Sequence, residues 1–140
     1  MIDYVTNPNV ANEDLNALFA DAWLDHTVRD FSPVLSLNLG HVCALADGAL
    51  VGFVNVAWDG GAHAFLLDPT VRSDFQRQGI GTQLVREAVE LTRSKGVEWL
   101  HVDYEPRLVD FYNKCGFRTT EAGVMNLKGK DTEPAIARDG

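Results

Sequence analysis

The sequence has few cysteines and no recognisable leader. Its 140 residues include only two cysteines, Cys43 and Cys115, and their separation matches neither a metal-binding nor a redox motif. The first residues, Met1–Val5, lack the basic and apolar blocks of a secretory signal. These absences argue against a disulfide framework and a bound metal, and we expect a protein of the reducing cytoplasm.

Positive charge and long hydrophobic runs are also scarce. The chain carries 20 acidic against 12 basic side chains, a net charge of −8. Such a surface repels nucleic acid and attracts cations, so it favours a basic amine or a lysine-bearing protein as partner over a polynucleotide. No apolar run approaches the roughly 20 residues that span a membrane, and we expect no membrane contact.

Hydrophobic residues are plentiful in total. At 46% of the sequence, they can fill one core, while the length is too short for two ordinary domains. We therefore predict a single domain over residues 1–140, ending in a loosely ordered polar tail, Gly129–Gly140.

Helical periodicity is strongest from Gly79 to Lys95, where apolar residues recur every three or four positions and Gly96 follows as a terminating residue. The same spacing predicts a helix over Asn12–Leu24, with Asn12 as its cap. Weaker patterns predict a helical stretch within 27–39 and a short helix over 107–115.

Strand patterns predict a sheet. Pro69 lacks a backbone donor and should lie at an edge or a distortion of that sheet. The crossover from Val71 to Val97 should be parallel and right-handed, so the order of elements predicts an α/β fold, a mixed α+β sheet with helices on both faces. The predicted strands are His41–Ala46, Leu50–Trp58, Ala62–Val71, Val97–Tyr104, Phe117–Ala122 and Val124–Leu127.

Phosphate-binding chemistry is concentrated in the loop Gln76–Thr82, at the start of the strongest helix. Gly79 and Gly81 let the backbone approach a ligand, while free N–H groups and the positive helix end attract phosphate. Arg72 and Arg77 can add charge. The third glycine of a dinucleotide fingerprint and the Gly-Lys-Ser/Thr of a P-loop are both missing. The glycine pair by itself would equally suit close packing between helix and strand.

Two motifs resemble those of the GNAT superfamily of N-acetyltransferases. Gln76-Arg77-Gln78-Gly79-Ile80-Gly81 is similar to its Gln/Arg-x-x-Gly-x-Gly/Ala signature, and Phe111-Tyr112-Asn113-Lys114-Cys115-Gly116-Phe117 resembles its Phe-Tyr-x-x-x-Gly-Phe segment. The resemblance covers Leu50 to about Phe117. It implies a mostly antiparallel sheet of about six to seven strands, splayed at one parallel pair.

The resemblance also implies acetyl-CoA as co-substrate, with its pantetheine arm lying in the splay. An N–H near Val71 would polarise the thioester carbonyl. No metal is expected. The expected cofactor-binding residues are Val71, Arg72, Ser73, Gln76, Arg77, Gln78, Gly79, Ile80, Gly81, Thr82 and Tyr112.

Tyr112 lies where the family places a tyrosine that protonates the departing CoA thiolate; its alternative role is packing against the acyl group. For deprotonating the amine, Asp103 is the first choice, because strand alternation places it on one polar face with His101 and Glu105. Asp68, beside Pro69 near the splay, is a further candidate. A chain of water molecules could also serve. The other candidate bases are His63, His101 and Glu105.

Glu105 stands where relatives often carry an asparagine that bonds the pantetheine arm, and a glutamate there could instead orient a cationic acceptor. Trp23 and Phe31 are candidate walls of the acceptor site, and Phe53 is assigned to the core.

We expect direct transfer of the acetyl group to a primary amine of a small molecule or a protein. A non-catalytic acyl-CoA sensor is the rival function, and a purely structural role ranks last. Polyamines, amino acids, aminoglycosides and protein N-termini or lysines all remain open as acceptors. A closing hairpin at Phe117–Leu127 would permit a homodimer.

Overall fold

The computed structural model describes residues 1–129, which form a five-stranded mixed sheet with helices on both faces. The strands lie in sequence order and pair antiparallel, except for the last two, which are parallel. The strands are β1 (Ile2–Thr6), β2 (Gly40–Ala46), β3 (Ala49–Trp58), β4 (His63–Val71) and β5 (Trp99–His101). The helices are α1 (Asn12–Ala22), α2 (Ser32–Leu37), α3 (Ile80–Ser94) and α4 (Val109–Lys114).

The alternation of side chains along β2 shows which helices cover each face of the sheet. Val42 and Ala44 belong to a core built with α3, whereas Cys43, between them, belongs to a second core with α1 and Phe31. Successive side chains of a strand point to opposite faces, so α3 and α1 cover opposite sides of the sheet. The predicted mixed sheet with helices on both faces is therefore confirmed.

Helix α3 follows the predicted pattern closely. Its buried residues include Leu84, Val85 and Ala88, which are fully inaccessible and pack on the sheet. Gly79 precedes the helix with φ of 84°, and Gly96 follows it with φ of 75°. Both values lie in the left-handed region that glycine adopts without strain, so a glycine delimits each end.

The sheet opens between β4 and β5. Only three residue pairs join these strands, from His63 with Trp99 to Phe65 with His101. Further along β4, Leu67 pairs with Asn55 and Thr70 pairs with Phe53. Two residues of β4, Asp68 and Pro69, therefore lie opposite a single residue of β3, Val54. This bulge accommodates the missing donor of Pro69, as predicted, and holds Asp68 at a φ of 54°.

Several predicted boundaries were wrong. The strand predicted over Val97–Tyr104 pairs only over Trp99–His101, because β4 diverges and leaves the following residues without a neighbour. The closing strands predicted over Phe117–Ala122 and Val124–Leu127 are not formed within residues 1–129, so the sheet has five strands rather than six or seven. The tail predicted from Gly129 onward falls, beyond that residue, outside the described part.

The N-terminal region also departs from the prediction. Residues Ile2–Thr6 form β1, which the sequence analysis did not identify. Ala11 rather than Asn12 occupies the cap of α1 and makes no side-chain capping bond. The Asn12 side chain instead bonds the Asp30 carboxylate at 2.8 Å and accepts the Phe31 N–H at 2.8 Å, so it ties the loop after α1 to that helix.

Candidate functional site

A groove of about 780 Å³ opens where β4 and β5 part. Its walls come from the end of β4, the start of α3, the segment after β5, α4 and the loop after α1. A groove of this size suits a cofactor-sized ligand. The predicted site residues that line it are Asp68, Val71, Gln76, Arg77, Gly79, Ile80, Gly81, Thr82, Asp103 and Tyr112.

One end of the groove is the N-terminus of α3. The N–H groups of Gly79, Ile80, Gly81 and Thr82 precede the first intrahelical bonds, the first backbone N–H to reach back being that of Gln83 to Gly79 at 3.1 Å. Four such donors and the positive helix end make a site for an anion such as pyrophosphate.

The two glycines of this loop are not explained by close packing. A Cβ added at Gly79 would have no heavy atom within 4 Å, and one added at Gly81 would come no closer than 3.8 Å to Phe111 and Val71, an ordinary contact. Gly79 is required by its positive φ, and the space beside it remains open to a ligand.

Three residues predicted to bind the cofactor do not line the groove, namely Arg72, Ser73 and Gln78. The Arg72 guanidinium binds Asp74 at 2.7 and 3.1 Å and lies over the Phe75 ring. The N–H and hydroxyl of Ser73 both bond the Asp21 carboxylate, at 2.6 and 2.9 Å. Arg72 and Ser73 therefore fasten this segment to itself and to α1.

Tyr112 is one of the residues that line the groove. Its ring is 4% exposed and stacks on Tyr104 with centroids 4.7 Å apart. Within residues 1–129 its hydroxyl has no hydrogen-bond partner, and no side-chain oxygen in that range is both fully buried and unpaired. The hydroxyl oxygen therefore retains contact with the open groove.

The surroundings of Tyr112 keep its proton in place. Burial, followed by the negative charges of nearby groups including Asp103 and Asp68, raises the pKa of Tyr112 to about 12. The phenol is consequently protonated at neutral pH and can donate a hydrogen bond or a proton into the groove.

Asp68 and Asp103 are brought into the same groove although they are 35 positions apart. Asp68 is exposed to solvent as a residue, yet the protein packed around its carboxyl group raises the pKa of that group by desolvation. The positive charge of Arg29 lowers that pKa, and Asp103 raises it. A carboxylate with a raised pKa is a better proton acceptor than an ordinary surface aspartate.

The remaining candidate bases occupy different places. His63 and His101 lie outside the groove lining, with their ring nitrogens 2.9 Å apart and His101 stacked on Phe65. Glu105 does line the groove, but its carboxylate accepts a bond from Arg107 Nε at 2.7 Å. The charge of Glu105 is thus balanced locally.

The opposite wall comes from α1 and the loop that follows it. Trp23 lines the groove and donates from Nε1 to the Thr70 hydroxyl at 3.1 Å, whereas Phe31 is 2% exposed and lies in the core, as Phe53 does. His26 and Arg29, for which the sequence pattern predicts no role, also line the groove. No motif marks them, because only the folding of this loop over β4 brings them to the site.

Asn16 holds this loop in place. Its amide oxygen accepts the Arg29 N–H at 3.0 Å, and its amide nitrogen donates to the Arg29 carbonyl at 2.8 Å. Since that oxygen must be an acceptor, the His26 Nε2 that lies 2.9 Å from it carries a proton. The loop wall is therefore fixed to α1 by three hydrogen bonds through one side chain.

None of the helices within residues 1–129 combines the length and hydrophobicity needed to cross a membrane.

Comparison with solved structures shows the same fold elsewhere. A GNAT-family acetyltransferase of Streptococcus pneumoniae superposes with a TM-score of 0.76 and 27% identity, over 91% of this chain and 99% of that one. An aminoglycoside N-acetyltransferase solved in complex with CoA superposes with a TM-score of 0.74 and 21% identity, over 93% and 96% of the two chains. At that lower identity the likeness shows the fold alone.

Comparison of the sequence with known proteins points to the same family as the comparison of structures. The chain is 30% identical over 82 residues to an uncharacterized N-acetyltransferase of Pyropia yezoensis, covering 59% of this chain and 47% of that protein. It thus spans about half the length of the curated relatives it matches. The model of the acetyltransferase (GNAT) family matches residues 9–117. That match takes in most of the chain, including both motifs and the groove, and the chain belongs to the GNAT family of acetyltransferases.

Proposed function

We propose that the protein transfers an acetyl group from acetyl-CoA to a primary amine by direct attack in a ternary complex. The observation that carries the proposal is the composition of a single groove. One end offers the free N–H groups of the α3 N-terminus, and the wall beyond offers a protonated tyrosine, Tyr112, and two carboxylates, Asp68 and Asp103.

The α3 end would bind the pyrophosphate of the cofactor. The four free N–H groups of 79–82 supply donors, and Arg77 supplies a positive charge beside them. Val71 would contribute backbone contacts to the pantetheine arm, although its carbonyl already accepts a bond from Gln76 Nε2 at 3.0 Å. Arg72 and Ser73 would contribute only after giving up their bonds to Asp74 and Asp21.

The middle of the groove would carry the chemistry. Asp103 or Asp68 accepts the proton of the attacking ammonium, directly or through water, and Tyr112 donates a proton to the departing thiolate. The raised pKa of Tyr112 ensures that the proton is present, and thiolate formation supplies the acceptor. The two cysteines, both free thiols, suit the reducing cytoplasm that we expect for this reaction.

The test is acetyl-CoA binding by calorimetry, followed in the same sample by release of free thiol against a panel of amines. We expect micromolar binding and thiol release with at least one amine class. Absence of binding would remove the proposal for the α3 N-terminus. Binding without release on any amine would favour the alternative, a non-catalytic acyl-CoA sensor.

Tyr112→Phe serves as the variant arm of the same test, because the ring and its stacking on Tyr104 are retained while the hydroxyl is lost. General acid catalysis is worth about 10² to 10⁴ in rate, so thiol release should fall by about a hundredfold or more with acetyl-CoA affinity unchanged. Unchanged turnover at full cofactor occupancy would remove the acid role.

A further inference from the structure

Arg29 is an arginine of the groove that forms no ion pair with a carboxylate among the described residues. It lines the groove, and no carboxylate of residues 1–129 lies within 4.0 Å of its guanidinium. Its side chain lies over the Phe31 ring, 4.5 Å from the centroid. By contrast, Arg72 and Arg107 each bind a carboxylate at 2.7 Å. Of the arginines that line the groove, Arg29 and Arg77 form no ion pair within residues 1–129, and Arg29 is the one that belongs to the loop after α1.

Arg29 lies in the loop that follows α1 and lines the groove together with residues of β4. Trp23 contacts Thr70 near the end of β4, and Asp21 contacts Ser73 just after it. The C-terminal end of α1 therefore lies beside residues 70–73, which lead from β4 to the loop before α3. Arg29 acts electrostatically on Asp68, which precedes those residues. The arginine therefore faces the part of the groove that holds Asp68, Asp103 and Tyr112.

The arginine is also positioned rather than loosely placed. Its N–H and carbonyl both bond the Asn16 side chain, and the flanking Asp30 is tied to Asn12 at 2.8 Å. An arginine whose backbone is fixed loses less freedom on binding a planar carboxylate with its fork of donors.

We propose that the acetyl acceptor is an α-amino carboxylate, whose carboxylate binds Arg29 while its amino group lies between Asp68 and Asp103. This inference rests on the proposed function. The two aspartates attract the ammonium, and the arginine attracts the anionic group a few bonds away, so the site complements a zwitterion. Trp23 and Phe19 line the same region and favour an apolar or aromatic side chain on the acceptor.

A polycationic acceptor fits this wall less well. The carboxylates of the groove, Asp25 among them, would attract a polycation. The charge of Glu105, however, is already balanced by Arg107. A second positive charge on the substrate would also lie close to the positive charge of Arg29. Like charges placed together in a partly desolvated groove oppose binding.

The experiment compares matched acceptors that differ only in the carboxylate: L-phenylalanine with 2-phenylethylamine, and L-leucine with 3-methylbutylamine. Thiol release gives kcat/KM for each, and the measured quantity is the ratio of the amino acid to its decarboxylated amine. A charge-assisted contact is worth roughly tenfold to a hundredfold. We expect a ratio above about ten for at least one pair, falling at least tenfold in Arg29→Met and only partly in Arg29→Lys.

Arg93→Met is the matched control, since it removes the same charge from the exposed face of α3, where Arg93 pairs with Glu90 at 3.4 Å. In Arg93→Met, the ratio of kcat/KM for the amino acid to kcat/KM for its decarboxylated amine should equal that of the wild type. A wild-type ratio below one in both pairs, spermidine outperforming both amino acids, or an unchanged ratio in Arg29→Met would overturn the inference. Failure of every amine with acetyl-CoA bound would instead overturn the proposed function.

Discussion

At the scale of the residue, Asp68 is held in a conformation and an environment that both cost free energy. Its φ of 54° lies in the left-handed region, and the groove raises the pKa of its carboxyl above the ordinary 3.8. The bulge opposite β3 imposes both features by turning one extra residue toward the splay. Stability is commonly sacrificed in this way at functional sites.

Asp68→Asn should therefore stabilise the fold at neutral pH while slowing acetyl transfer. A raised folded-state pKa means that the folded protein favours the protonated acid. Ionised Asp68 therefore lowers the free energy of unfolding by its full amount at a pH above that raised pKa. This loss of stability shrinks as the pH falls, and it vanishes below the pKa of the unfolded state, near 3.8. Asparagine also tolerates a positive φ. Urea unfolding of both proteins at pH 7 and near pH 3 should show a gain only at pH 7.

The control for this substitution is Asp47→Asn. Asp47 has a similar φ of 49° and is likewise exposed, but it lies in the turn between β2 and β3, outside the groove. An equal gain in both variants would show that the backbone conformation, and not the groove environment, is responsible.

At the scale of the element, the start of α3 depends on one glycine more than on the other. Gly79→Ala places a Cβ on a residue with φ of 84°, which costs roughly 1–2 kcal/mol, and puts a methyl group into the open space where a phosphate would approach. We expect the free energy of unfolding to fall by that amount and acetyl-CoA affinity to drop at least tenfold. Calorimetry and denaturant unfolding measure the two effects.

Gly81→Ala is the paired control within the same helix start. The added Cβ would make ordinary contacts of 3.8 Å, and alanine is preferred over glycine inside a helix by roughly 0.5–1 kcal/mol. This variant should be at least as stable as the wild type and keep its affinity. If both variants bind acetyl-CoA like the wild type, the loop does not form the phosphate site.

At the scale of the whole molecule, the groove divides the sheet. Strands β1 to β4 are joined along most of their length, whereas β5 is held to β4 by three residue pairs, and α4 follows β5 along the chain. A ligand lying in the splay would touch both parts and α3. Binding should therefore stabilise the fold as a unit.

Acetyl-CoA at about a hundredfold excess over its dissociation constant should add about 2.7 kcal/mol, which for a chain of this size corresponds to a Tm increase of roughly 10 °C. Thermal unfolding over a concentration series measures the effect, and the shift should grow with the logarithm of concentration. S-acetyl-pantetheine, which lacks the pyrophosphate, should shift Tm much less. Equal shifts with the two compounds would contradict binding at the α3 N-terminus.

Local pattern was sufficient for the elements that local interactions specify. The β2–β3 hairpin and α3 were predicted because each has a strong period and a glycine where positive φ is needed. Strand β1 was missed because five residues have little periodicity of their own, and its pairing with β2 across more than 30 positions makes it a strand. The length of β5 was overestimated because its partner diverges, which no local pattern records.

The sequence by itself determined the family, the mixed sheet and the glycine-containing start of α3, since these depend on contiguous motifs and on periodicity. Only the tertiary structure decided which side chains share the groove. It bound Ser73 to Asp21, placed Phe31 in the core and brought Arg29 near Asp68. The reason is that these contacts join positions 12 to 52 residues apart, and their geometry follows from strand register, the bulge in β4 and the path of one loop.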